Sequence, residues 1–218
     1  FVAGGAERHL LELWSRLDRG RFEVSIACFA RRGQFTAEVE ALRWPLFDLG
    51  MGARIYGPRG WRGLLRLLRV VRRVRPDVIH GYLFGPNLFA SLAGRLCGVP
   101  AVVIAKRNMD EFETPRQVAV QRLAHRLATH VVAVSENVAG SSVALGVPRE
   151  RVTVIANGVD VDRFGAHAAD RTLLGVTGPA PVVGSGGCLA ARKDHGTLLQ
   201  ALARVRAGGH EFEAVIVG

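Results

Sequence analysis

Cysteine is scarce in this chain of 218 residues: Cys28, Cys97 and Cys188 are three, an odd number, widely spaced and without a CxxC pair. They offer no disulfide framework; Cys28 and Cys97 read as small buried residues, and a reducing, cytoplasmic setting fits. Uninterrupted apolar runs of about 18 residues are missing, so no transmembrane helix is expected. No signal peptide is visible and no Met opens the chain. Almost none of the strand expected before Gly4-Gly5 is present, so the sequence reads as trimmed at the front as well as the back. An upstream targeting segment stays open. GxGxxG followed by an acidic residue about 20 positions on is missing, as is P-loop spacing, which argues against a nicotinamide dehydrogenase. Aromatics make up 7% of the chain, and its arginines are spread over helices without stacked aromatics on a sheet face. Nucleic-acid binding would rest on charge alone and is ranked last.

What is present is an apolar fraction of 49%, enough for a substantial core and too high for a disordered chain. The length suits one large domain or one domain plus part of another. The net charge of +10, mostly from arginine, suits nucleic acid, an anionic membrane or an anionic small molecule without choosing among them. The organising stretch is Val152–Phe164, VTVIANGVDVDRF. Four β-favouring residues run there into Asn157-Gly158, a pair suited to positive φ and to stopping a strand. Alternating strand and helix patterns lie on both sides, so this stretch reads as the crossing point between two α/β lobes with a ligand cleft between them.

Gly4-Gly5 opens a helix whose Leu10, Leu13, Trp14 and Leu17 fall on one stripe. Its free N–H groups suit a phosphate or a sugar hydroxyl, the alternative being a plain strand-to-helix turn. Phe22–Phe29 and Trp44–Leu49 are strand candidates flanking a short helix marked by Phe35, Val39 and Leu42, and Ile55–Gly60 is expected to be a loop. Trp61–Arg75 is a basic amphipathic helix. It reads as a crossover helix with solvated arginines or, alternatively, as a membrane-surface contact. Pro76–His80 predicts a short buried strand ending in His80, at the strand end that faces ligands in parallel sheets; the histidine either meets a ligand or anchors the next loop. A helix over Asn87–Cys97, a strand over Ala101–Ala105, and Lys106-Arg107-Asn108 at that strand's end follow. The two cations suit an anionic group or form a solvated pair. Thr114-Pro115 caps a helix bearing Val120, Leu123, Ala124 and Leu127; Val131–Val134 and Val152–Ile155 are strands flanking a helix capped by Ser135. Residues 163–181 read as linker. Val182-Val183-Gly184 starts a new strand leading to Ser185-Gly186-Gly187-Cys188, and Lys193 precedes a helix with Leu198, Leu199, Leu202 and Val205. A small-residue turn with a lysine at the foot of a helix resembles a phosphate cradle.

Four blocks in order, GGAE, PDVIHGYLFGPNLFASLAGRLCGVP, VVAVSENVAGSSVALGVPRERVTVIANGVDVDRF and VVGSGGCLAARKDHGTLLQAL, resemble the retaining glycosyltransferases of family four, which have the GT-B fold. The resemblance implies an α/β architecture. A Rossmann-like acceptor-side domain over 1–162 has parallel strands and flanking helices, with its first strand mostly missing. A linker follows over 163–181, and the incomplete start of a donor-binding domain over 182–218. It implies sugar transfer with retention from a nucleotide-diphosphate sugar to a polysaccharide, lipid-linked or small-molecule acceptor. No cofactor and no bound metal are needed. Gly4, Gly5, Gly187 and Lys193 would hold the donor phosphate and sugar, Asn157 and Gly158 would lie near the cleft, and Arg107 and His80 would serve the reacting centre. Cys188 stands where the family carries an arginine, with Arg192 as a substitute. Arg107 stands where many members carry a histidine. The paired glutamates and nucleotide-base pocket of the family are not in this sequence, so the 218-residue chain is expected to be inactive alone. The other class of function is a degenerate GT-B module that binds sugar nucleotides or regulates without catalysis. The expected place is cytoplasmic, with peripheral contact at the inner membrane face through Trp61–Arg75.

Overall fold

The structure, a computed structural model, describes residues 4–52, 56–109, 114–162, 170–176 and 178–218, with all their side chains except that of Arg192. Two compact units, Phe1–Val159 and Asp160–Gly218, divide between Val159 and Asp160. Arg163 and Phe164 lie outside the described residues.

In the first unit, β1 (Ile26–Cys28) and β2 (Leu46–Asp48) pair in parallel. A second parallel sheet runs β3 (Val78–Tyr82), β4 (Ala101–Lys106), β5 (His130–Ala133), β6 (Val152–Val154). Helices α1 (Gly5–Arg16), α2 (Thr36–Ala41), α3 (Gly57–Val74), α4 (Phe84–Leu96), α5 (Pro115–Leu127) and α6 (Glu136–Ala144) connect them. The strands form where β-branched runs alternate onto one face: Val102, Ile104, Val131, Ala133 and Val152 are buried. They share one core with Leu67, Leu68 and Val71 of α3, Phe89 and Ala93 of α4, and Val138 and Ala139 of α6. Each fully buried Val, Ile or Leu contributes roughly 1.5–3 kcal/mol, so this face fixes the register of the sheet. A smaller core of Leu11, Ile26 and Val39, with Trp14 and Trp44 against it, joins α1 and α2 to β1 and β2.

Helix ends follow local chemistry. Thr114 and Gln117 form a reciprocal capping box at α5, and Ser135 accepts from the Val138 N–H at α6; caps of this kind are worth about 1 kcal/mol. Several sequence expectations are corrected. The expected Ile55–Gly60 loop is helical from Gly57, with Pro58 in the first turn where its missing N–H costs nothing; Ile55 lies outside the described residues. The strand expected to end at His80 runs on to Tyr82 and is not buried throughout, because β3 lies at the edge of its sheet and Val78 is 54% exposed. The helix expected from Asn87 begins at Phe84, since Leu83 takes φ 72° and turns the chain directly from strand into helix. On α5, Leu123 faces solvent, whereas Gln121, Ala124 and His125 are buried.

The second unit has a helical turn at Arg171–Leu174, then β7 (Val182–Gly186), a turn at Ala191–Lys193, α7 (His195–Ala207) and β8 (Glu213–Val217). β7 and β8 are parallel, from Val182↔Glu213 to Gly186↔Val217. No residue of α7 is buried, and Leu199 and Val205 are exposed.

α4 lies close on the sheet because Gly94 carries no side chain. A Cβ there would sit 2.5 Å from Val102 Cγ2 and 2.9 Å from Ile79 Cγ2. Replacing a helix-interior glycine by alanine ordinarily gains up to about 1 kcal/mol, but the stiff Val102 side chain cannot give way. Gly94→Ala is therefore expected to lower unfolding free energy by about 1–3 kcal/mol. A denaturant midpoint equal to or above wild type would contradict the packing described.

Candidate active site at the carboxyl ends of the strands

Side chains two apart on a strand share a face, and registered residues of parallel neighbours point the same way. His80 and Tyr82 thus share one side of β3. Ala105, registered with Tyr82, lies on that side of β4, and Arg107 is two residues further on. The rings of His80 and Tyr82 lie 4.5 Å apart between centroids. The Arg107 guanidinium carbon is 5.7 Å from the Tyr82 centroid, and Arg107 Nη2 donates to Asn157 Oδ1 beyond β6. From α1, His9 brings its ring to 6.3 Å from Tyr82. Gly5 lies one helical turn before His9, on the same face of α1. The structure thus brings together Arg107, His80 and Asn157, with the glycine turn one step behind His9.

The charges in this cluster are of one sign. Burial, then Arg107, then His9 push the His80 imidazole down to about 4, although the residue as a whole keeps solvent-exposed surface. Burial and Arg107 also lower His9. Burial raises the Tyr82 phenol and lowers Arg107. At neutral pH the site is one guanidinium beside two neutral imidazoles and a phenol, each able to meet a sugar hydroxyl or an oxyanion.

The pair of cations expected at 106 and 107 is not a pair. Alternation sends Lys106 to the opposite side, where it is 5% exposed and its Nζ donates to Gln121 Oε1 at 3.3 Å. Leu83, Asn87, Lys106, Arg107, Gln121 and His125 are among the residues that line a cavity of about 20 Å³, room for one water. Asn87 Nδ2 donates to Ala105 O at 2.9 Å. A Cβ on Gly81 would sit 2.8 Å from Asn87 Cα, so α4 is wedged directly against the strand between His80 and Tyr82.

Gly4 is extended at the N-cap of α1, and no side chain caps the helix. The Glu7 carboxylate folds back over Gly4, 2.5 Å from where a Cβ would lie. In the second unit, Gly187 has φ +148°, a conformation that favours glycine, and the Lys193 side chain lies over it, with Nζ 3.8 Å from a Cβ position. Gly187 and Lys193 are thus together in that unit. Cys188 is exposed beside them, Gly158 is exposed with open space around it, and the side chain of Arg192 lies outside the described set. Among the described residues no group of His, Cys, Asp or Glu could hold a metal ion. Sequence reasoning missed His9 and Tyr82. Their signals were the spacings Gly5 to His9, one helical turn, and His80 to Tyr82, one strand repeat.

A parallel-sheet α/β unit with its polar cluster at the strand ends, followed by the strand–helix–strand start of another, is the order of elements found in the GT-B fold. The chain belongs to glycosyltransferase family 4, whose model matches residues 3–163. It is 30% identical over 175 residues to a 2-deoxystreptamine glucosyltransferase of Streptomyces kanamyceticus, covering 71% of this chain and 45% of the relative. It is 22% identical over 171 residues to an Escherichia coli UDP-Gal:alpha-D-GlcNAc-diphosphoundecaprenol alpha-1,3-galactosyltransferase, covering 75% and 44%. Among solved structures, the Anabaena protein HepE in complex with UDP and glucose superposes with a TM-score of 0.76 at 22% identity, over 99% of this chain and 58% of that one. The chain therefore spans less than half the length of the curated relatives it matches.

The cluster makes a spectroscopic prediction. The His80 imidazole should titrate near 4, below an ordinary histidine, and Arg107→Gln should raise its midpoint by removing an adjacent positive charge. Imidazole proton shifts followed by NMR against pH check this; an unchanged midpoint in the variant would separate Arg107 from His80.

Proposed function

We propose that this chain is part of a retaining glycosyltransferase that moves a hexose from a nucleotide-diphosphate sugar to an acceptor hydroxyl without a bound metal. The supporting observation is the strand-end cluster of His9, His80, Tyr82 and Arg107 in a chain of family 4. Relatives named for UDP-galactose and for a complex with UDP favour a uridine donor. Their names span a small aminocyclitol and a lipid-linked diphosphate as acceptors, and the acceptor is assigned to the first unit. Negative charge builds on the diphosphate as the glycosidic bond breaks. In this reading Lys193, with the backbone beside Gly187, meets that charge on the second unit, and the N–H groups at Gly4-Gly5 add donors on the first. Arg107 and His80 act at the reacting sugar and acceptor, while Asn157 holds Arg107 in place and Gly158 leaves space beside it.

The test is transfer from UDP-sugars by the whole protein, with products followed by mass spectrometry. Lys193→Ala is expected to lower the rate about 100-fold, as for loss of one charge-stabilising donor, and a rate within twofold of wild type would remove Lys193 from this role. The 218-residue chain alone is expected to transfer no sugar. Nucleotide-sugar binding by the whole protein with no turnover on any acceptor would favour the non-catalytic module instead.

A membrane contact has one observation in its favour. On α3 the leucines that pack inward leave Trp61 68% and Leu65 48% exposed, alongside Arg62, Arg69, Arg72 and Arg73 with no acidic residue in the helix. That face suits an anionic lipid surface at the cytoplasmic side. No helix among the described residues is long and apolar enough to cross a membrane. Flotation with anionic but not neutral liposomes, lost in Trp61→Ala/Arg69→Ala, is the expected result; equal flotation of the double variant would assign the face to solvent.

A further inference from the structure

We infer that His9, His80 and Arg107 form a proton-linked oxyanion site: a phosphate or carboxylate group seated against Arg107 draws a proton onto the imidazole pair. The inference deepens the proposed function by naming the charge of the group this part of the site takes. It rests on that reading only for whether the group belongs to donor or acceptor.

Among the described residues, the geometry gathers one guanidinium and two imidazoles around a phenol ring, with no carboxylate. Three elements converge on the Tyr82 ring: His9 from α1 at 6.3 Å, His80 from the same strand at 4.5 Å, and Arg107 from the end of β4 at 5.7 Å. Of the five guanidinium donors of Arg107, the structure commits one to Asn157 Oδ1. The neighbouring charges of α1 are engaged elsewhere. Arg8 Nη1 pairs with Glu38 at 2.9 Å and its guanidinium lies over Phe35, and Glu7 is folded over Gly4. The charged or titratable groups that face His80 among the described residues are thus Arg107, His9 and Tyr82, and those that face His9 are Arg107, His80 and Tyr82. Among the described residues no carboxylate acts on any of them.

Such an arrangement keeps both histidines neutral while the site is empty, since each imidazolium would stand beside a guanidinium. An oxyanion at Arg107 reverses the balance, because the positive ring is then attracted to it. The sign follows from linkage. The bound state holds its proton at higher pH than the free state, so affinity for the anion rises as pH falls through the bound-state midpoint. It levels off once pH is below the free-state midpoint near 4. A diphosphate and an anionic acceptor group share this chemistry.

The probe is sulfate, an oxyanion that does not itself titrate in this range. The full chain is followed by NMR through its His9 and His80 ring protons, against sodium chloride at matched ionic strength to remove simple screening. Saturating sulfate is expected to raise the His80 midpoint by about one pH unit above the chloride control. The response should vanish in Arg107→Gln and persist in Arg107→Lys, with thermal unfolding showing that both variants fold. No shift beyond chloride, or an equal shift in Arg107→Gln, overturns the inference. Repeating the titration with saturating UDP-glucose in the whole protein separates the sources: a lost response assigns the site to the donor diphosphate, and a retained response assigns it to an anionic acceptor. A protein that transfers no sugar yet shows the linked shift would keep this inference while the functional reading falls, and an active transferase without the shift would do the reverse.

Discussion

Alternation along β3 and β4 is the constraint on which the rest of the first unit depends. Ile79, Gly81, Ile104 and Lys106 turn toward α4 and α5, while His80, Tyr82, Ala105 and Arg107 turn the other way. A slip of one residue would exchange the two sets, burying the histidine and arginine and exposing Ile104. The dry set resists such a slip. Val102 and Ile104 have no exposed surface, and Gly81 and Gly94 admit α4 so closely that a Cβ at either would clash. Core packing and site chemistry are two faces of one register.

The buried side of that register is not wholly apolar. Lys106 is one of only two lysines in the chain, the other being Lys193, and it is deep in the first unit with its ammonium on Gln121. A buried ammonium without hydrogen bonds is costly. Gln121 and the small cavity beside Asn87, with space for one water, limit that cost. Arg107 also lines that cavity, and Asn87 ties the carbonyl of Ala105. The polar cluster therefore holds the end of β4 where the chain leaves it for the site. Leu83, at φ 72°, serves β3 in the same way: a strained residue at the lip of the site takes the place of a longer loop.

The order of strands and helices and the caps at Thr114 and Ser135 were legible because each depends on residues within one turn or one strand of one another. The site was legible only where it lay at a strand end, as with His80 and Arg107. Tyr82 was hidden by ending the strand two residues early, before Gly81, which is a packing glycine within the strand. His9 was hidden because its role depends on how α1 lies against β3, a tertiary fact that helical periodicity does not carry. Lys106 was misread for the opposite reason. Its charge suggested solvent or ligand, and only the register shows that it faces inward.

The two lysines and the many arginines also bear on how charge is divided along the chain. In the second unit, Cys188 stands exposed beside Gly187, and a thiol supplies no positive charge. Lys193 lies over Gly187 with its ammonium at the end of a flexible stem, a point charge that adapts to a phosphate but does not fix its orientation. In the first unit, Arg107 is a planar fork held by Asn157 on one edge and by the Tyr82 face on another, a group that orients what it binds. In the resemblance drawn from the sequence, Arg107 stands where many family members carry a histidine. Histidine there would titrate with its neighbours His9 and His80. Arginine does not, and so it fixes the charge of the site and leaves the two imidazoles to respond to whatever binds.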